Sequence, residues 1–122
     1  MTWLPRFFKK KPKVAVVRLE GTIAASMSFG SSLNDANTSK AIEKAFSIRN
    51  VSAVALLINS PGGSPVQSSL IANRISRLAK RNKVKVIAFC EDVAASGGYW
   101  LACAADDIYA DKVGINIICS AC

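Results

Sequence analysis

The chain has 122 residues, 51% of them hydrophobic, which is enough for one domain with its own core. The formal net charge is +8, but no stacking platform or zinc pattern accompanies the basic residues, so we expect no nucleic-acid partner. The sequence contains no histidine, which excludes a Ser-His-Asp triad. No segment approaches the roughly twenty consecutive apolar residues of a membrane span.

Residues 1–13 are interpreted as a basic leader that precedes the domain at 14–122. Trp3, Phe7 and Phe8 come before a run of lysines, the reverse of the order in a signal peptide. We therefore expect a cytoplasmic protein. Two interpretations of the leader stay open, a disordered segment and a peripheral contact with the inner face of an anionic membrane.

Residues 26–38 are rich in Ser, Asn and Gly and predict a mobile loop. Thr38 or Ser39 can cap a short helix that runs to about Ile48. The residues of this helix predicted to face the core are Ala41, Ile42, Ala45 and Phe46.

A first strand-turn-helix unit follows. Residues 51–59 form a nearly continuous apolar run, as in a strand buried on both faces of a parallel sheet. The turn at 60–65 leads into a helix with Ser64 as N-cap, Pro65 at the first helical position and Gln67 completing a capping box. The apolar stripe predicted for this helix is Val66, Leu70, Ile71, Ile75 and Leu78.

A second unit repeats the pattern. The strand-like run at 84–90 is followed by a small-residue turn at 93–99 that contains Ser96, and by a buried helix at 97–105. The carboxyl ends of parallel strands meet at one sheet edge, so Gly62 and Gly63 are expected near Ser96. Backbone N–H groups beside a serine at a helix start suit a nucleophile with an oxyanion site. The alternative is a small-residue turn that only lets a buried helix pack closely.

Residues 58–63 (Ile-Asn-Ser-Pro-Gly-Gly) together with 94–99 (Ala-Ala-Ser-Gly-Gly-Tyr) resemble the signal peptide peptidase A, protease IV and SohB group of serine peptidases. The resemblance extends from 14 to about 111, with 14–23 similar to the group's first strand and 106–111 to the strand after the nucleophile helix. It implies an α/β, crotonase/Clp-like fold, a parallel sheet built from repeated strand-turn-helix units, and no cofactor.

The resemblance also implies roles for the turn residues. Ser96 is the nucleophile, the N–H groups of Gly62 and Gly97 form the oxyanion hole, and Gly63 and Gly98 support the two turns. A full-length relative is expected to hydrolyse peptide bonds in peptide or protein substrates through an acyl-enzyme, and to form a homo-oligomer.

The group uses a Ser-Lys dyad whose lysine lies well downstream of the serine. Only 122 − 96 = 26 residues follow Ser96, so we expect the chain to be an amino-terminal part, incomplete at the carboxyl end and inactive alone. Lys112 is the one internal substitute, and we expect it to be solvated. Such a part leaves apolar surface uncovered where further elements would pack. Two alternatives remain, a catalytically inactive fragment and a crotonase-like acyl-CoA enzyme.

The remaining reactive side chains predict scaffold roles. Cys90 and Cys103 are interpreted as small core residues, and the isolated pair Cys119 and Cys122 is half a zinc site, so no metal is expected. The acids Asp106, Asp107 and Asp111 are predicted to be turn residues. A second basic cluster is interpreted as a solvated helix end; it comprises Arg74, Arg77, Lys80, Arg81, Lys83 and Lys85.

Overall fold

The computed structural model describes residues 11–25 and 32–117, with the side chains of 116 and 117 excepted. The elements in chain order are β1 (Lys13–Glu20), α1 (Asp35–Ser47), β2 (Val51–Ser60), α2 (Pro65–Asn82), β3 (Lys85–Ala95), α3 (Gly97–Ala102), β4 (Asp107–Ala110) and β5 (Ile115–Ile117). Every strand pairing is parallel, in the order β1-β2-β3-β4, and β5 pairs with the end of β3. The prediction of an α/β parallel sheet is confirmed.

One face of the sheet carries the core. In β1 the alternation places Ala15, Val17 and Leu19 inward against the helices, while Val14 and Val16 point outward. The central strands contribute fully buried branched side chains such as Leu56 to the same layer. Burying these side chains is the main favourable term for the fold.

The opposite face of the sheet stays open over much of its area. Val14 and Val16 are 59% and 61% exposed there, and Phe89 stacks on Tyr109 with ring centroids 5.6 Å apart. Arg18 crosses this face to Glu91, with an Nη1–Oε2 distance of 3.0 Å. The domain therefore presents a partly apolar sheet surface that its own described helices do not cover.

Helix α1 begins earlier than the sequence predicts. Asn34 is the N-cap, and its side chain accepts from the N–H of Asn37 at 2.8 Å. The loop prediction is therefore wrong for the last residues of 26–38, where Thr38 is buried within the helix, and residues 26–31 lie outside the described part. Ala41 is exposed, contrary to the prediction, whereas Ile42, Ala45 and Phe46 are buried as predicted.

Helix α2 begins as predicted but buries a different face. Ser64 Oγ accepts from the N–H of Gln67 at 3.2 Å, which confirms the N-cap. Val66 and Leu70 are 66% and 45% exposed, so their assignment to the buried stripe is wrong. Ser68 takes the inward position instead, because its hydroxyl donates to the carbonyl of Ser64 at 2.8 Å and can be buried at little cost.

The capping box predicted for Gln67 is not formed. Its Oε1 accepts from the N–H of Asp35 at 3.0 Å, so the side chain caps the neighbouring helix α1 instead of its own. Arg74 reinforces this junction with bonds of 2.8 Å to both oxygens of Asp35 and 2.7 Å to Glu43. The hydrogen bond from Arg74 holds the pKa of Asp35 below its ordinary value.

Strand β3 runs to Ala95, well past the predicted end at residue 90, and only Ser96 separates it from α3. Ile58 pairs with Cys90 while Ser60 pairs with Ala94, so four residues of β3 advance against two of β2. The side chain of Asn59 accepts from the N–H of Val93 at 3.1 Å, which satisfies an amide beside this register shift. Helix α3 ends at Ala102, three residues before the predicted end at 105.

Candidate active site

Ser96 occupies a strained backbone conformation at the end of β3. Its φ of 52° and ψ of −122° lie in a region that non-glycine residues rarely adopt. Such a conformation costs roughly 1–3 kcal/mol and persists only where the surroundings enforce it. The residue is exposed, and within the described ranges its hydroxyl makes no hydrogen bond. A free serine hydroxyl on a sharp strand-to-helix turn has the placement of a nucleophile.

The two glycines after Ser96 are packed too closely for any side chain. A Cβ on Gly97 would overlap Ser68 Oγ and lie 3.2 Å from Ile23 Cδ1. A Cβ on Gly98 would overlap the carbonyl oxygen of Ser60. The start of α3 therefore packs directly against the end of β2 and the start of α2, and this close packing fixes the backbone of the turn at Ser96.

The structure brings the two predicted turns into contact. Gly62 has a φ of +96°, and a Cβ there would lie 2.7 Å from Gly97 N, 2.8 Å from Ala95 O and 2.9 Å from Ser96 Cβ. Only glycine satisfies both the conformation and this approach. Gly62, Ser96 and Gly97, predicted as one site, are thus neighbours.

The backbone groups of Gly62 are already engaged within the fold. Its N–H donates to Ser60 Oγ at 3.1 Å, and its carbonyl accepts from the N–H of Ile23 at 2.9 Å. Ser64 in turn donates its N–H to the carbonyl of Ile23 at 2.7 Å. Residues 62–64 are thereby bound to the segment that follows β1.

Gly63 differs from Gly62 in this respect. It is the central residue of the parallel bridge to Ile23, so its own N–H points away from that segment. In the described part of the chain neither the N–H of Gly63 nor that of Gly97 has an acceptor. Two backbone donors are therefore unengaged in the turns beside Ser96.

No described lysine forms a hydrogen bond with Ser96. Lys85 bonds Asp107 at 2.8 Å, and this carboxylate raises the pKa of the ammonium, the wrong direction for a base at neutral pH. Lys112 is exposed between β4 and β5. Ile115 pairs with Val93, so Lys112 lies at least three residues short of Ser96 along the sheet, roughly 10 Å.

The prediction of turn positions for the acids near β4 holds for Asp106 and Asp111, whereas Asp107 is the first residue of β4 and pairs with Lys85. Asp106 accepts from the N–H of Val86 at 2.8 Å, and Asp111 accepts from the N–H of Val113 at 3.0 Å. Among the described residues, no group of three His, Cys, Asp or Glu side chains could hold a metal ion.

Two further predictions are confirmed only in part. Cys90 is buried as predicted, and burial raises the pKa of its thiol, but Cys103 is exposed and is not a core residue. The interpretation of the second basic cluster as a solvated helix end is wrong for Arg74, which is largely buried against Asp35, whereas Lys85 is exposed as predicted but begins β3 and pairs with Asp107. The leader residues Trp3, Phe7 and Phe8 and the pair Cys119 and Cys122 lie outside the described residues.

Ser60 and Asn59 contribute to the site, although the sequence patterns did not predict a role for them. Both belong to the turn motif, but their side chains bond to Gly21, Gly62 and Val93 on three different segments. A buried serine directly after an apolar strand was the available signal, because a hydroxyl in that position needs partners.

Comparison with known proteins supports a peptidase relationship. Residues 78–118 match the family model of peptidase family S49. Protease 4 of Haemophilus influenzae is 40% identical over 100 residues, which cover 82% of this chain and 16% of that protein. The probable protease SohB of the same organism is 36% identical over 104 residues, covering 82% of this chain and 26% of that protein.

A sequence named as a Na(+)/H(+) antiporter NhaA, from Brucella melitensis, is 48% identical over 114 residues. The match covers 92% of this chain and 16% of the antiporter sequence, so it concerns a small part of that protein. No helix within 11–25 and 32–117 is long and apolar enough to cross a membrane.

Two solved structures share the fold. A ClpP1 variant from Listeria monocytogenes superposes with a TM-score of 0.57 at 24% identity, covering 74% of this chain and 46% of that one. A variant of the membrane-bound stomatin-specific protease 1510-N gives 0.58 at 20% identity, covering 84% and 45%. The chain therefore has the Clp/crotonase-like fold.

The resemblance to the signal peptide peptidase A, protease IV and SohB group is confirmed by these matches. The chain spans about a sixth of the length of the first of these relatives.

Proposed function

We propose that this chain carries the nucleophile and the oxyanion donors of a serine peptidase of the signal peptide peptidase A/SohB type. The main support for this proposal is the placement of Ser96, which has a positive φ and a free hydroxyl and contacts the Gly62–Gly63 turn. The peptidase relatives support the reaction class.

The reaction begins with attack of Ser96 Oγ on the carbonyl carbon of a peptide bond. The carbonyl oxygen becomes an oxyanion, and the N–H of Gly97 and an N–H from the Gly62–Gly63 turn donate to it. One such donor contributes roughly 3 kcal/mol to the transition state in other acyl-transfer enzymes. Collapse of the tetrahedral intermediate releases the amine and leaves an acyl-enzyme, which water then hydrolyses.

Two N–H groups of the glycine turn, those of Gly62 and Gly63, are candidates for the second oxyanion donor. Gly62 is the residue that the resemblance implies, but its N–H serves an oxyanion only after leaving Ser60 Oγ. The N–H of Gly63 is unengaged and donates without breaking a bond. Gly63 and Gly97 are therefore the pair that requires the least reorganisation.

The proton of Ser96 needs a base that the described residues do not place beside it. The resemblance implies a lysine on a later element, so we expect this chain alone to bind a reactive electrophile but not to turn over peptides. In the whole protein we propose a peptide or protein substrate, a homo-oligomer, and contact with an anionic membrane surface through the aromatic and basic leader.

The test uses an active-site-directed fluorophosphonate probe on the purified chain. We expect slow modification of Ser96, faster with imidazole added as an external base, and none in Ser96→Ala. Ser52→Ala removes another exposed serine and is the matched control, which should be modified at the parental rate. Peptide mapping by mass spectrometry identifies the modified residue.

Two results would contradict the proposal. Equal modification of the parent and Ser96→Ala would remove the nucleophile assignment. Turnover of a fluorogenic peptide that disappears in Lys112→Met would show instead that the chain is a complete Ser-Lys enzyme.

A further inference from the structure

Ser60 is the last residue of β2 and is completely buried at the point where three segments meet. Its hydroxyl donates to the carbonyl of Gly21 at 2.6 Å and accepts from the N–H of Gly62 at 3.1 Å. The single hydroxyl therefore links the segment after β1 to the glycine turn beside Ser96.

The backbone of Ser60 is fixed from the other side. Ser60 pairs with Ala94 in β3, and its carbonyl oxygen lies so near Gly98 that a Cβ there would overlap it. The carbonyl of Asn59 accepts from the N–H of Gly21 at 3.0 Å, which closes a reciprocal pair of bonds around this junction. The hydroxyl is consequently attached to a rigid support when it holds Gly62.

The orientation of one peptide group follows from this contact. The N–H of Gly62 is directed inward to a buried acceptor, and a buried N–H without a partner is strongly disfavoured. The next N–H, that of Gly63, projects away from Ile23 and has no acceptor among the described residues.

We propose that Ser60 is a positioning residue: its hydroxyl holds the N–H of Gly62 inside the fold and so reserves the N–H of Gly63 for the acyl oxygen. The first half of this statement concerns the folded chain alone, and the second half rests on the proposed peptidase function. Ser60 touches no reacting atom and acts only through the glycine turn.

The decisive experiment measures amide hydrogen exchange by NMR on the ¹⁵N-labelled chain. In the parent we expect the Gly62 N–H to be protected and the Gly63 N–H to exchange rapidly. Ser60→Ala should lower the protection of Gly62 by about tenfold, the effect of losing one hydrogen bond. Ser60→Cys preserves the side-chain volume with a weak acceptor, so it should follow Ser60→Ala if the hydrogen bond matters, and the parent if only packing matters.

Ser68→Ala is the matched control, because Ser68 is equally buried and its hydroxyl bonds a backbone carbonyl without touching Gly62. It should leave the exchange of Gly62 unchanged. A Gly62 N–H that is unprotected in the parent, or equally protected in Ser60→Cys, would overturn the proposal.

The fluorophosphonate reaction tests the positioning role of Ser60 separately from the proposed peptidase function. We expect Ser60→Cys to lower the maximal rate of Ser96 modification while leaving the probe concentration for half-maximal rate unchanged. If Ser96 is unreactive even in the parent, the peptidase proposal fails, and the exchange of Gly62 still decides whether Ser60 orients the turn. If the parent reacts and Ser60→Cys reacts equally fast, the claim that Ser60 keeps the N–H of Gly63 available for the acyl oxygen is wrong.

Discussion

A double-mutant cycle between Gly97 and Ser68 tests how tightly the helix after the candidate nucleophile is seated. In Gly97→Ala the new Cβ would overlap Ser68 Oγ, and either the hydroxyl or the helix start must move. Overpacking of this kind costs roughly 1–3 kcal/mol in a well-packed core. Ser68→Ala alone loses its bond to Ser64 O, worth about 1 kcal/mol.

In the double variant the overlapping oxygen is gone, and the nearest remaining atom of that side chain, its Cβ, lies 3.3 Å from the new methyl group. We therefore expect Gly97→Ala to cost less than about 1 kcal/mol in the Ser68→Ala background, a coupling of roughly 1–2 kcal/mol. Urea unfolding of the four proteins, followed by far-UV circular dichroism at neutral pH, gives the four free energies of unfolding.

Gly62→Ala is the matched control for this cycle. Two of its nearest obstructing atoms are the backbone atoms Gly97 N and Ala95 O, which no side-chain truncation removes. Ser68→Ala should therefore leave the cost of Gly62→Ala unchanged. Additivity of Gly97→Ala and Ser68→Ala within about 0.5 kcal/mol would refute the close contact between α3 and α2.

Three further predictions concern charged groups and thiols. The hydrogen bond from Arg74 lowers the pKa of Asp35 in the folded state, so the stability that this ion pair contributes is complete above the ordinary carboxyl pKa near 4 and is lost as the pH falls through the lowered pKa. Asp35→Asn should therefore flatten the pH dependence of the free energy of urea unfolding in this acidic range. An unchanged pH profile would contradict the stabilising role of this ion pair. Cys103 should be alkylated by iodoacetamide before Cys90, since Cys90 is buried with a raised pKa; equal rates in peptide mapping would argue against this burial. Asp106→Ala leaves the N–H of Val86 without its acceptor and should cost about 1–3 kcal/mol in urea unfolding. Asp107→Ala removes only a solvent-exposed ion pair and should cost less; the reverse order would contradict the role of Asp106 as the acceptor for Val86.

The buried strands and the contact of the two glycine turns were predictable because they depend on local patterns. A continuous apolar run specifies β2, and the topology of consecutive parallel strands places Gly62 near Ser96 without further information. The fold class follows from the same repeated strand-turn-helix pattern.

The misplaced helix start and helix face arise from long-range contacts. Helix α1 begins at Asp35 in a polar segment because Gln67, distant in sequence, caps its first N–H. Ser68 replaces Leu70 on the buried face because its hydroxyl finds a carbonyl within its own helix. Hydrophobic periodicity does not predict such hydrogen bonds, because it considers only the apolar residues of one segment at a time.

The predicted end of β3 failed for a related reason. Glu91 and Asp92 interrupt the apolar run, yet the strand continues through them because Asn59 supplies an acceptor and β5 supplies a new partner strand. Neither contact is encoded within the strand's own residues.

The register shift between β2 and β3 has a consequence for tolerated changes in chain length. With regular pairing beyond Ile58 and Cys90, Ser60 would face Asp92, and the position level with Gly62 would be Ala94. The two additional residues of β3 are taken up by the register shift, so Ser96 lies level with Gly62 and not roughly 7 Å beyond it. Insertions or deletions of one residue at 91–92 therefore change the register between β2 and β3 for all residues that follow, including the turn at Ser96. A single-residue deletion would, with regular alternation, reverse the side on which each following side chain projects. Deletion of both residues would remove the register shift and leave Ser96 on the same side and still level with Gly62.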